Sequence, residues 1–222
     1  MVQEFSWFLI GLVIAFFIPA IFAGWLKFPR NIYLFIYIPV VISFFIAFIV
    51  QNDFDFGKLL THNWYWGVFG GAIATVFVLN NVFSQQPSER RKGFGLFIDI
   101  TWPGLVYGLT DALFLSVFPV LAVGLIYDDA PWAEGWLGRI GLGFLALAAS
   151  LIITVVYHLG YPEYRNKKVF WIMLGNGIMT LAYIVTLNPL GAILPHMAMH
   201  VTAMIHGRET TGQVPPHYPF HK

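Results

Sequence analysis

Thr180–His206 reads TLAYIVTLNPLGAILPHMAMHVTAMIH, a stretch with no Lys, Arg, Asp or Glu that carries His196 and His200 four residues apart. On a helix, positions four apart share a face, one turn apart. Polar side chains inside a membrane span are expensive and face a protein interior or a water-filled cavity rather than lipid. The two imidazoles therefore mark a buried polar site, and the apolar run around them marks a membrane helix.

The whole chain has the same character. Of its 222 residues, 58% are hydrophobic and only 10% are charged, where a soluble domain carries about 25% charged residues. The chain contains no cysteine, which excludes disulfides, thiolate metal sites and a cysteine nucleophile. A formal net charge of +1 gives no reason to expect nucleic acid as a partner; the expected surroundings are a lipid bilayer. The segment before the first apolar run carries Glu4 and no Lys or Arg, unlike a cleavable signal peptide.

Because about 20 apolar residues cross a bilayer, the sequence predicts an all-α, polytopic membrane domain of about seven transmembrane helices. They run from about Phe5 to Trp25, Ile32 to Val50, Asn63 to Phe83, Phe97 to Ile126, Leu137 to His158, Val169 to Leu187 and Pro189 to His206. Threading the chain with its amino terminus outside places ten of the twelve basic residues on the cytoplasmic side, leaving only Lys58 and Arg139 outside. This bias predicts a cytoplasmic carboxyl terminus. Trp64, Trp66, Trp132 and Trp136 then fall at the outer interface. A fourth helix of 30 residues would be about 45 Å long against a hydrocarbon core of about 30 Å. Trp102-Pro103-Gly104 is the expected break, with an interfacial piece over Phe94 to Thr101 and a crossing helix from Pro103. The tail, residues 207–222, ends VPPHYPFHK and is expected to be extended.

Few ionisable groups remain at membrane depth: Asp111, His196 and His200, with His158 near the end of the fifth span. They come from three helices, the fourth, fifth and seventh. Converging, they would suit proton transfer or a divalent metal such as zinc held by His158, His196 and His200 with Asp111. The structural alternatives are an interfacial His158 bonded to water or a carbonyl, and an Asp111 tied to Thr110 or Asn176. A haem or chlorophyll held by histidine is a further possibility. No span offers a lysine for a retinal Schiff base, and the first three spans lack the acid and histidine that alkaline-ceramidase-like hydrolases place there. Asp53 and Asp55 in QNDFDFGK have too few companions for a calcium loop and read as a solvated turn.

From Ser150 onward, SLIITVVYHLGY and then GNGIMTLAYIVTLNPLGAILPHMAMHVTAMI resemble the second half of the CAAX prenyl endopeptidase and bacteriocin-processing (CPBP) family of intramembrane peptidases. There one helix ends in F-x-x-x-H, and a later one reads roughly Y-L-R-T-G-S-L-x-A-P-I-L-x-H-A-L-x-N. His158 falls on the first histidine, His196 on the second, and His200 on the asparagine; Thr154 replaces the phenylalanine. The family's E-E-x-x-x-R motif aligns with Thr110, Asp111 and Leu115, so only the second acid is kept, as aspartate. The resemblance covers roughly residues 96–206, while residues 1–95 match nothing specific. It implies an intramembrane endopeptidase in which Asp111, His158, His196 and His200 are catalytic, working on a water in a cavity open to the cytoplasm. Its altered first motif equally suits a non-catalytic accessory, assembly or binding subunit for a hydrophobic peptide or membrane-protein partner.

Overall fold

The computed structural model describes residues 2–207 with Pro215, Pro216 and Tyr218, and the side chains of all of these except Val2 and Gln3. Arg208, His217, His221, Lys222 and most of the tail lie outside the described residues. Every regular element among the described residues is helical. Helix α1 spans Val2–Ile18 and continues as a π-helix over Pro19–Trp25; α2 is Arg30–Gln51, α3 Phe56–Thr61 and α4 Trp64–Phe83. A long central helix comprises α5 (Phe94–Asp99), α6 (Tyr107–Asp111) and α7 (Phe118–Ile126), joined by π-helical stretches at Ile100–Val106 and Ala112–Val117. Then follow α8 (Trp136–Leu159), α9 (Lys168–Thr186) and α10 (Leu190–His206).

Six of these helical segments are long and apolar enough to cross a membrane: Glu4–Trp25, Arg30–Gln51, Trp64–Phe83, Phe94–Ile126, Trp136–Leu159 and Lys168–Thr186. The chain is thus built as an integral membrane protein. Helix α10, the seventh expected span, has 17 residues. Lipid-facing sides are evident from exposed apolar rows, such as Phe5, Leu9, Val13 and Phe17 on α1, four residues apart and each about half exposed. In its most apolar window the central helix is 72% buried, against 17–44% for the other five, so the bundle is built around it.

The expected break at Pro103 takes a different form: the helical path runs on from Phe94 to Ile126. Pro103 has no N–H to donate, and the chain accommodates it by widening rather than stopping, with the Tyr107 N–H reaching back five residues to the Trp102 carbonyl. Asp99, in the piece expected at the interface, is buried within the protein and ion-paired with Arg91.

Contacts between loops define two ends of the bundle. At one end Lys27 meets Glu163, Arg30 meets Pro215, and Ser88 and Arg90 meet the last turn of α10. At the other, the Asn188 amide donates to the carbonyls of Leu59, Leu60 and His62, tying the α9–α10 turn to α3. Asp55 caps α3 through the Lys58 N–H, consistent with a structural turn rather than an ion loop.

Between the central helix, α8 and α9 lies a closed polar layer. The Asn176 amide donates to Ser150 and Thr154 at 2.9 and 2.7 Å, while its carbonyl accepts from Ser116 at 3.1 Å. Thr180 bonds both Ser116 and Ser150 at 2.8 Å. Ser150 also donates to the Leu115 carbonyl within the second π-helical stretch at 2.6 Å. With no water in the hydrocarbon core, such groups must satisfy one another. Asn176→Ala leaves Ser116, Ser150 and Thr154 short of partners, and we expect it to cost about 1–2 kcal/mol, read as a lowered midpoint of thermal unfolding in detergent.

Candidate functional site

Asp111 ends α6, between the two π-helical stretches. Such wide turns often occur where a helix must aim a functional group. Its partner is not Thr110 or Asn176: Thr110 turns its hydroxyl back to the Val106 carbonyl, and Asn176 belongs to the polar layer. Instead Tyr37 of α2 donates to Asp111 Oδ1 at 2.9 Å. Asp111 Oδ2 lies 3.6 Å from His200 Nε2, close enough for an ion pair but too long for a direct hydrogen bond.

All four side chains singled out in the sequence, Asp111, His158, His196 and His200, line one cavity of about 430 Å³. All four are buried. The cavity lies among the central helix, α8 and α10, the helices that carry these four residues, and extends to α4 through Phe77 and Asn81 and to α9 through Trp171 and Gly175. Asn176 and Thr154 link its wall to the polar layer.

The hydrogen bonds set the chemistry of the rings. His158 Nδ1 lies 2.8 Å from the Thr154 carbonyl, and His196 Nδ1 lies 3.1 Å from the Ala192 carbonyl. A carbonyl only accepts, so Nδ1 is the donor in both rings, and each Nε2 of the neutral imidazole keeps its lone pair. His158 therefore makes the carbonyl bond of its structural alternative while also lining the cavity. His200 differs, since both its ring nitrogens are buried without a hydrogen-bond partner. An unpaired buried polar group costs roughly 1–3 kcal/mol, so the cavity is built for something to meet it. The His196 and His200 rings are 6.4 Å apart on one face of α10.

The donor types suit a divalent metal, and a carbonyl-bonded Nδ1–H is how proteins commonly orient a ligating imidazole. Among the described residues, however, no three His, Cys, Asp or Glu side chains are gathered closely enough to hold an ion.

A group of tyrosines, not singled out in the sequence, surrounds the acid. Tyr157 bonds Tyr107, Tyr161 and Tyr33 at 2.9, 2.8 and 3.2 Å, and Tyr161 donates to Tyr33 at 2.7 Å. Tyr107 sets its ring edge against His200, 4.7 Å between centroids. Tyr161 lies beyond the end of α8, and burial pushes its hydroxyl pKa up, so it stays a neutral donor. The one sequence signal is the spacing of four in Tyr33/Tyr37, which puts that pair on one face of α2.

The central helix approaches α10 closely at Gly108: a Cβ there would lie 3.0 Å from Met197 Cα and 3.1 Å from the His200 ring, so α10 would have to give by a few tenths of an ångström. Neither family models, characterised proteins nor solved structures match the chain. Gly108→Leu must push α10 away, and we expect a loss of about 1–3 kcal/mol. Gly175→Ala, whose Cβ meets nothing within 4 Å, is expected to stay within about 0.5 kcal/mol of the parent. Thermal unfolding of the two variants side by side makes the comparison.

Proposed function

We propose that the protein is an intramembrane hydrolase that cleaves peptide bonds of hydrophobic substrates, as its CPBP resemblance implies. The observation that carries the reading is one carboxylate and three imidazoles on one cavity, with the Nε2 lone pairs of His158 and His196 uncommitted and His200 unpaired. A water between Asp111 and these rings attacks the peptide carbonyl and gives one proton to Asp111 Oδ2. The second hydrogen is held by the lone pair of His196 or His158. A His200 N–H stabilises the tetrahedral oxyanion. Asp111 then passes its proton to the leaving amine as the C–N bond breaks, leaving an acid and an amine and restoring the carboxylate. Tyr37 holds Oδ1 of Asp111, so Oδ2, which faces His200, is assigned this exchange.

In this reading α10 is the seventh crossing. The cytoplasmic side is the end where eight of the ten described basic residues lie, Lys27, Arg30, Arg90, Arg91, Lys92, Arg165, Lys167 and Lys168. Gln85, Tyr164 and Lys168, which line the cavity toward that end, support an opening on the cytoplasmic side.

A second reading is favoured by the first-motif positions: Thr110 is committed to its own helix, and Leu115 lines the cavity where the family has arginine. On this view the protein is a non-catalytic binding or accessory subunit, its histidines holding a ligand, a metal or a pigment.

The test is cleavage of quenched fluorescent hydrophobic peptides by purified protein in proteoliposomes. Asp111→Asn and His200→Ala are expected to lower the rate by roughly 100-fold or more, with no change in unfolding midpoint beyond that of a surface substitution. Wild-type protein that cleaves nothing, yet carries a metal or an absorbing cofactor lost in His196→Ala and His200→Ala, would favour the binding reading.

A further inference from the structure

The α1–α2 turn holds two basic residues in an unusual way. Lys27 has φ +52°, the left-handed region that non-glycine residues seldom occupy. Three residues on, Arg30 is almost wholly buried at the start of α2. Both face the chain's own carboxyl-terminal segment. Arg30 Nε donates to the Pro215 carbonyl at 2.6 Å. Lys27 Nζ lies 4.4 Å from the centre of the Tyr218 ring and 3.4 Å from Glu163 Oε1, and the Tyr218 hydroxyl donates to that same oxygen at 2.8 Å. Burial acts to raise the Glu163 pKa, but the Tyr218 and backbone hydrogen bonds and the Lys27 charge together lower it, so the carboxylate is present at neutral pH.

Pro215 is buried and forms part of the cavity wall, beside Tyr164 and Lys168. Pro215 thus contributes to the cavity wall from the tail. The groups that hold it would recognise one kind of ligand. A guanidinium takes a backbone carbonyl, prolines have no N–H to leave unpaired, and a carboxylate with an ammonium takes a tyrosine by its hydroxyl and its ring face.

We propose that Lys27, Arg30 and Glu163 form a peptide-docking site at the rim of the cavity, specific for a proline carbonyl followed closely by a tyrosine and filled in cis by Pro215 and Tyr218, so that the docked tail restricts access to the cavity.

The absence of native cysteine allows a direct test on the full chain. Gly175→Cys places a thiol on the cavity wall where an added Cβ meets no atom within 4 Å. The rate of its labelling by a charged maleimide in detergent reads access to the cavity, whether or not the cavity is catalytic. Adding Tyr218→Phe, which leaves the docking residues intact, is expected to raise that rate about tenfold, the effect of losing one charge-assisted hydrogen bond. Free peptide VPPHYPFHK is expected to slow it again, and a scrambled peptide to leave it unchanged. Lys27→Ala, at a half-exposed position, should act in the same direction and serves as the second variant if Tyr218→Phe lowers the unfolding midpoint. Equal labelling rates in parent and Lys27→Ala, or a free peptide without effect, would overturn the proposal.

Discussion

A polar group buried in a bilayer has no water to fall back on, and this constraint organises the bundle. Between the central helix, α8 and α9 it is met in full: Asn176, Ser116, Ser150, Thr154 and Thr180 bond one another and the Leu115 carbonyl. One layer away it is deliberately unmet. Asp111 has one oxygen taken by Tyr37, His158 and His196 have one nitrogen each taken by a carbonyl, and His200 has neither. The second set shares a cavity, whereas the first is packed shut apart from the parts of Asn176 and Thr154 that form its wall. That contrast distinguishes a site from a glue between helices.

The central helix supplies both layers, and its departures from α-helical geometry follow from that. Pro103 forces the first π-helical stretch, and the second frees the Leu115 carbonyl for Ser150. Between them Tyr107, Gly108 and Asp111 face α2 and α10. Gly108 allows the approach that brings His200 beside Asp111, and Tyr37 and Tyr107 fill the space around the pair. Rigid support of this kind holds a reacting geometry that loops would not.

Much of this was legible in the sequence because charge is so scarce in it. Asp111, His158, His196 and His200 stand out as rare ionisable groups at membrane depth, and the apolar runs locate the helices to within a few residues, as in Ile32 to Val50 against Arg30–Gln51. What stayed hidden depends on how helices rotate against one another. Asn176 was as suitable a partner for Asp111 as for Ser150, and only the packing of α9 decides. The tyrosines gave little signal beyond the Tyr33/Tyr37 spacing, since Tyr is ordinary near membrane interfaces; Tyr37 matters because α2 turns it toward α6. Pro103 is legible as a disturbance, but propensity does not say whether a helix stops there or widens. The contacts of Pro215 and Tyr218 join residues more than 50 positions apart and leave no periodic trace.

The central claim is that the cavity histidines are held with their basic nitrogens open to an occupant. Nitrogen NMR of protein labelled at the histidine rings, with each signal assigned by single substitution, tests it most directly. The account predicts that His158 and His196 are neutral with the proton on Nδ1 and a lone pair on Nε2. Protons on Nε2 in these two rings would mean that the carbonyl bonds from Thr154 and Ala192 do not form, and the site as described would not exist.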